Sequence, residues 1–201
     1  MNDPMINILI RMSAGREEVF RSCIDSIEKQ TYRNFKVLIS VDESPGIISL
    51  GKIPFPYIAF SVKKGESSSA FFYNDYCNSL KSKVESGWFF FLDSDDYLPE
   101  IDSLEQIAKE LRGDAWQAVV CQMSRDNGKI KPSDKLISSK RIESGRIGLP
   151  CLILRAQYKD SLKIGVTENA DFEWIKAITD SVATKYVKKV LVHSPKRSFG
   201  K

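Results

Sequence analysis

The chain has 201 residues, 42% of them hydrophobic and 28% charged, with a formal net charge of +4. That is the composition of a folded globular protein long enough to bury a sizeable core, and it excludes a disordered tail or a collagen-like fibre. No apolar run reaches the length of a membrane span, and Met1-Asn-Asp-Pro leads into a short strand with no basic region or long apolar stretch, so no secretory leader is expected. Cys23, Cys77, Cys121 and Cys151 lie far apart without a Cys-x-x-Cys pair, and three sit in apolar-periodic stretches. Reduced core thiols are expected, and with them a cytoplasmic location.

Ile6–Ile10 reads as a strand, ending in the polar turn Arg11-Met-Ser-Ala-Gly-Arg16. A helix should follow through Gln30, because Val19, Cys23 and Ile27 recur at i, i+4 and i+8. Phe35–Val41 predicts a second strand, closed by Asp42-Glu43-Ser-Pro-Gly46, and a Pro- and Gly-bearing loop runs to Pro56. Tyr57–Val62 predicts a third strand. Lys64-Gly-Glu-Ser-Ser-Ser69 then introduces a helix to about Glu85.

Trp88-Phe-Phe-Phe-Leu92 reads as a strand buried on both faces, and Asp93-Ser94-Asp95-Asp96 follows where it emerges from its sheet. Crowded carboxylates repel one another unless something positive neutralises them, and a strand's C-terminal end in an open α/β sheet is where ligands bind. A hard divalent cation, Mg²⁺ or Mn²⁺, suits such oxygen donors and keeps positions open for substrate phosphates. The same acids also suit a turn and a helix N-cap ahead of Ile101.

A helix is expected over Ile101–Leu111 and a strand over Ala118–Gln122. Residues 124–148 are polar, rich in Lys and Arg and broken by Gly and Pro, which predicts a long functional loop or an edge excursion. Cys151–Leu154 predicts a strand, Ala170–Asp180 a helix, and Lys185–Val192 a final edge strand. Strands alternating with helices predict one α/β domain over 1–201, a doubly wound sheet with helices on both faces. Its first half, 1–122, has the character of a nucleotide-binding fold, and beyond Arg125 the signal weakens.

On adjacent parallel strands, the ends at Arg11–Arg16, Asp42 and Asp93–Asp96 would converge on one crevice. Asp42 would then hold a base or ribose, Asp95 a metal, and Arg11 or Arg16 a phosphate or base. No glycine-rich dinucleotide fingerprint or P-loop occurs, so both of those nucleotide folds are disfavoured.

Two motifs in register carry a resemblance. Ser22-x-x-x-Ser26-Ile27-x-x-Gln30-Thr31-Tyr32-x-Asn34-Phe35-x-Val37-x-Ile39-x-Val41-Asp42-x-Ser44, followed by Phe91-Leu-Asp-Ser-Asp-Asp96, resembles glycosyltransferase family 2. The resemblance covers the first half. It implies a GT-A fold, a Rossmann-like α/β/α sandwich around a mixed, mostly parallel sheet. The implied activity is metal-dependent, inverting transfer of a sugar from a nucleotide donor, a UDP-sugar by preference, to a glycan or lipid-linked acceptor in surface polysaccharide synthesis. By the same resemblance, Asp93 and Asp95 form the Mn²⁺ or Mg²⁺ and diphosphate site. Arg11, Ser13, Arg16, Asp42, Asn74, Asp93 and Ser94 would bind the nucleotide sugar, and the lone histidine His193 would be a third metal ligand or a structural residue at a strand end. Beside it, Lys196 and Arg197 would close over the diphosphate or, equally, form a solvated tail.

The acceptor's proton needs a base, and Thr167-Glu168-Asn-Ala-Asp171-Phe-Glu-Trp174 is the stretch that looks similar to the family's helix-start acid. Asp171 is the expected base and Glu168 the second candidate, although Asn169 or Asp171 would equally make a plain N-cap. Trp174 would wall the acceptor pocket or belong to the core. The turn Arg11–Arg16, Glu43 beside Asp42, and Ala70-Phe-Phe-Tyr-Asn74 depart from the family pattern. A nucleotidyltransferase and a non-catalytic nucleotide- or glycan-binding module of the same fold are the rival readings. Nucleic-acid binding through 125–146 is not expected, because the basic residues lack interleaved aromatics. Membrane association would be peripheral, at the inner face, through a partner or a lipid-linked acceptor.

Overall fold

The structure, a computed structural model, describes residues 3–13, 15–42, 50–62 and 73–195. Eight strands form one sheet: β1 (Ile6–Met12), β2 (Phe35–Asp42), β3 (Tyr57–Val62), β4 (Trp88–Phe91), β5 (Ala118–Ser124), β6 (Ile130–Lys131), β7 (Leu152–Arg155) and β8 (Thr184–His193). Five helices accompany them: α1 (Glu17–Glu28), α2 (Tyr73–Ser82), α3 (Ser103–Leu111), α4 (Asp134–Ser138) and α5 (Ala170–Ser181). The sheet order is β3-β2-β1-β4-β7-β5-β6, with β8 on β5. The β1–β2, β1–β4, β2–β3 and β5–β8 pairs are parallel, and β7 and β6 run antiparallel to their neighbours. This is the expected mixed, mostly parallel α/β sheet.

The boundaries differ where side-chain pattern and backbone pairing part company. β1 continues through Arg11 and Met12, which pair with Ser40 and Val41, so Arg11 belongs to the strand rather than to a turn. The 124–148 stretch is not one long loop: it contains β6 and α4, anchored by buried Leu136, Ile137 and Ile147. Short elements of this kind carry too few apolar residues to show a period. The predicted helix start at Lys64 and the residues Ala70–Phe72 lie outside the described residues.

The core runs from Ile6 to Val192, with the whole Trp88–Leu92 run at 4% exposure or less. All four cysteines are free and buried. Among the described residues, no helix is long and apolar enough to cross a membrane.

Ser26, Gln30, Tyr32 and Asn34 of the first motif are scaffold. Ser26 Oγ accepts a bond from Leu98 N at 3.1 Å, just past the acidic turn. Buried Gln30 donates from Nε2 to the carbonyls of Ser26 (3.0 Å) and Glu100 (2.8 Å), and its Oε1 accepts from Leu104 N at 2.8 Å. Tyr32 and Asn34 bond the carbonyls of Pro4 and Asp3 ahead of β1. α1 is thereby stapled to the segment that carries the acids out of β4. Gln30→Ala should cost about 2–4 kcal/mol, because it strands a buried N–H and carbonyl. Urea unfolding checks this, and an unchanged midpoint would contradict it.

Candidate active site

Parallel pairing of β1 with β4 sets their C-terminal ends side by side. Past Phe91 the chain turns tightly, Asp96 N bonding Asp93 O at 2.8 Å, so Asp93, Asp95 and Asp96 gather in one place. Two arginines from the β1 end meet them. Arg11 donates from Nε and Nη2 to Asp93 Oδ1 at 2.8 and 2.6 Å, and Arg16 Nη1 reaches Asp95 Oδ2 at 3.0 Å. The Asp93 and Asp95 side chains are only 12% and 13% exposed, so water screens these pairs little. The acids are felt beneath as well: burial, then the charges of Asp96, Asp93 and Asp95, push the Cys23 thiol well above its usual range.

A cleft of about 600 Å³ opens over this corner, lined by Arg11, Asp93 and Asp96 together with Asn74, Glu168 and Asp171. Asp171 stands in the first turn of α5, its Oδ1 accepting the Phe172 N–H at 2.7 Å. Burial raises the Asp171 carboxyl above its ordinary value. The Phe172 N–H and the Arg11 charge pull it back, and Asp93 pushes it up again. Asn169 holds the N-cap position, but its side chain makes no cap bond and instead accepts from Ser144 Oγ at 3.0 Å.

α2 sets the approach to α5. Asn74 Nδ2 bonds Gly165 O (2.8 Å), Asn78 pairs with both backbone groups of Ile164, and Lys81 Nζ bonds Leu162 O (2.6 Å). The spacing of 74, 78 and 81 is one helix face, so one side of α2 grips 162–165. Asn74 Oδ1 is buried and has no hydrogen-bond partner among the described residues, which leaves an acceptor in the cleft wall. Trp174 belongs to the core: it is 3% exposed and sits edge-to-face on Phe91 at 6.2 Å, coupling α5 to β4.

The structure therefore brings together Arg11, Asn74, Asp93, Glu168 and Asp171 in one cleft, with Arg16 and Asp95 paired at its corner. Ser94 is buried in the acidic turn, and Ser13 lies half-buried just past β1. Asp42 ends β2 opposite Val62, but its side chain, Glu43, Lys196 and Arg197 lie outside what the structure describes. His193 stands apart from the acids' pairing: Nδ1 lies 2.9 Å from Ser124 Oγ, Nε2 2.9 Å from Asp126 Oδ1, and the ring stacks on Tyr97. Among the described residues no three His, Cys, Asp or Glu side chains are grouped to hold a metal. Two hard carboxylate donors, Asp93 and Asp95, nonetheless fit Mg²⁺ or Mn²⁺, which take one or two carboxylates and complete their shell with substrate phosphate and water. Sequence reasoning did not foresee the cleft's second wall, built from Arg125, Lys129, Lys131 and Arg146. The basic composition of 124–148 was visible, but not the direction in which it faces.

The architecture is that of a GT-A-like glycosyltransferase fold. No protein-family model matches the chain, and no curated protein matches it. Solved structures do. TarS 1-349 from S. aureus superposes with a TM-score of 0.74 at 16% identity, over 95% of this chain and 60% of that one. Its complex with UDP-GlcNAc gives the same TM-score and identity, over 96% and 59%. The mannosyltransferase PcManGT from Pyrobaculum calidifontis, in complex with GDP-Man and Mn²⁺, superposes with a TM-score of 0.71 at 12% identity, over 100% and 59%. The chain thus spans about 60% of the length of these neighbours.

Lys81 gives a pH signature for the clamp. Burial lowers its ammonium from 10.5 to about 8. Below about pH 8 folded and unfolded chains both carry the proton, and the burial penalty is present in full. Between about 8 and 10.5 only the unfolded chain keeps it, so the penalty is relieved as pH rises. The stability of the wild type relative to Lys81→Met should therefore climb by about 2 kcal/mol between about pH 7 and 9.5. Denaturant melts across that range check this, and parallel profiles would contradict it.

Proposed function

We propose that this chain is a nucleotide-sugar-dependent glycosyltransferase of the family 2 kind, acting with inversion on a glycan or lipid-linked acceptor. The observation that carries the proposal is the placement of Asp171 in the same cleft as Arg11 and Asp93, its carboxyl raised by burial. A base whose pKa moves up towards the working pH takes a proton more readily, and an acid-and-arginine corner suits a diphosphate leaving group. The neighbours solved with UDP-GlcNAc and with GDP-Man and Mn²⁺ support a nucleotide-sugar donor.

In the proposed reaction the acceptor hydroxyl oxygen attacks the anomeric carbon. The new C–O bond forms as the bond from that carbon to the diphosphate oxygen breaks, and its electron pair leaves with the nucleoside diphosphate. The hydroxyl proton passes to the Asp171 carboxylate. Arg11 and Arg16 stand where they can turn from Asp93 and Asp95 to the departing diphosphate, and Asn74 Oδ1 can accept a hydroxyl of donor or acceptor. Mg²⁺ or Mn²⁺, held by Asp95 and Asp93, would supply Lewis-acid stabilisation of the leaving charge. Glu168, more exposed than Asp171, is assigned to acceptor contact rather than to the proton transfer.

Hydrolysis of UDP- and GDP-sugars tests the assignment without an identified acceptor, because water then serves as nucleophile. Asp171→Asn should lower nucleoside diphosphate release about 10²–10⁴-fold while calorimetric donor affinity stays within a few-fold. In the wild type the rate should fall as pH drops through the raised Asp171 pKa, since only the carboxylate accepts a proton. Undiminished release by the variant would remove Asp171 as base, and donor binding without release by the wild type would favour a binding module.

Arg16→Gln separates the metal assignment. Relieved of a competing guanidinium, Asp95 should bind Mn²⁺ about 3- to 10-fold more tightly without nucleotide, while nucleotide-sugar affinity drops. Unchanged Mn²⁺ affinity, measured by water proton relaxation, would count against Asp95 as ligand.

A further inference from the structure

The cleft's second wall carries no role in the chemistry above. Arg125 follows β5, Lys129 precedes β6, Lys131 lies in β6, and Arg146 comes from the stretch before Leu149; all four line the cleft. They share one field: the Lys131 ammonium is lowered, first by burial and then by the charges of Arg125, Arg146 and Lys129. Lys131 Nζ is fixed on Gly145 O at 2.6 Å, which ties β6 to the segment bearing Arg146.

The acids of the same stretch face elsewhere. Asp126 meets His193, Asp134 accepts from Gln122 Nε2 at 2.8 Å, and Glu143 lies 3.9 Å from Arg141. Among the described residues none of the four wall cations forms an ion pair, whereas Arg11 and Arg16 at the other end of the cleft both do. Like charges held together without counter-ions raise the energy of the folded chain until an anion joins them.

Position separates this wall from the donor corner. β4 and β7 lie between β1 and β5, three strand steps or about 14 Å across the sheet. Asp171 and Glu168 open into the same cleft. Resting on the glycosyl-transfer reading above, we propose that Arg125, Lys129, Lys131 and Arg146 seat an acceptor carrying fixed negative charge, phosphate or carboxylate, beside the hydroxyl to be glycosylated. Arginines grip either group through paired N–H donors, and the lysines add charge without demanding a geometry.

The test titrates the full chain with fluorescent inorganic polyphosphate, oligogalacturonate, a neutral dextran oligomer and oligo-dT, and separately with phosphatidylglycerol vesicles. Polyphosphate or oligogalacturonate should bind at least about tenfold more tightly than dextran and weaken as salt rises. Lys129→Gln/Arg146→Gln changes two exposed side chains and should weaken that binding about tenfold, with an unchanged melting temperature. Binding to vesicles in preference to polyphosphate would place the charge on a lipid-linked acceptor; the reverse would place it on the glycan. Dextran binding as tight as that of the anions, oligo-dT binding tighter than polyphosphate, or no effect of the double variant would overturn the proposal. An equal loss of nucleotide-sugar affinity in the double variant would move the wall to the donor diphosphate and overturn it as well. Polyphosphate binding with no nucleotide-sugar binding at all would instead sink the glycosyl-transfer reading and leave an anion-binding wall.

Discussion

Arg11 lying across Asp93 at 2.6 Å joins the ends of two neighbouring parallel strands, and much of the site depends on that contact. An apolar strand that delivers three carboxylates to its end creates a local excess of negative charge that must be neutralised for the fold to tolerate it. Here the neutralising groups come from the neighbouring strand end, so the acids and the arginines are assembled by sheet pairing itself. Such a partly buried pair contributes little net stability, because desolvation offsets most of the attraction. Its consequence is geometric: it holds cation and anion side by side at the cleft, where the proposed diphosphate and metal would exchange partners with them. The same guanidinium reaches Asp171 electrostatically, which ties the donor corner to the proposed base.

Positioning falls to polar groups of which Asn74 also lines the cleft. Gln30 and Ser26 fasten the segment after the acids to α1, and Asn74, Asn78 and Lys81 fasten the segment before α5 to α2. Phe91 against Trp174 closes the circuit between β4 and α5. The acidic turn and the start of α5 are thus held by separate sets of polar contacts, and the basic wall, from β5 to the residues before Leu149, is fixed by β6 pairing and by Lys131 on Gly145.

The strands were legible because buried parallel strands are written as apolar runs: Ile6–Ile10, Phe35–Val41 and Trp88–Leu92 could hardly be anything else. The convergence of Arg11 and Asp93 followed from strand adjacency, whereas Asp171 was singled out only by resemblance to the family's helix-start acid. Other features were not legible, for identifiable reasons. β7 inserts antiparallel between β4 and β5, and no local pattern in Leu152–Arg155 encodes its neighbours. Gln30 and Asn78 act through bonds to backbone groups 70 or more residues away, which composition cannot reveal. His193 stood in sequence as a metal ligand by resemblance or a structural residue, and its bonds to Ser124 and Asp126 join groups 69 and 67 residues apart, which sequence does not show. The stretch 124–148 read as a long functional loop or an edge excursion because the direction of its lysines and arginines depends on β6 and α4, elements too short to register a period.

Phosphorus NMR of UDP and GDP, titrated with the protein, tests most directly whether the β1–β4 corner is a diphosphate site. A shift and broadening of the β-phosphorus signal is predicted for one of the two nucleotides with the wild type, and its loss with Asp93→Ala. A β-phosphorus signal unmoved by the wild type for both nucleotides, or moved equally by Asp93→Ala, would contradict the account.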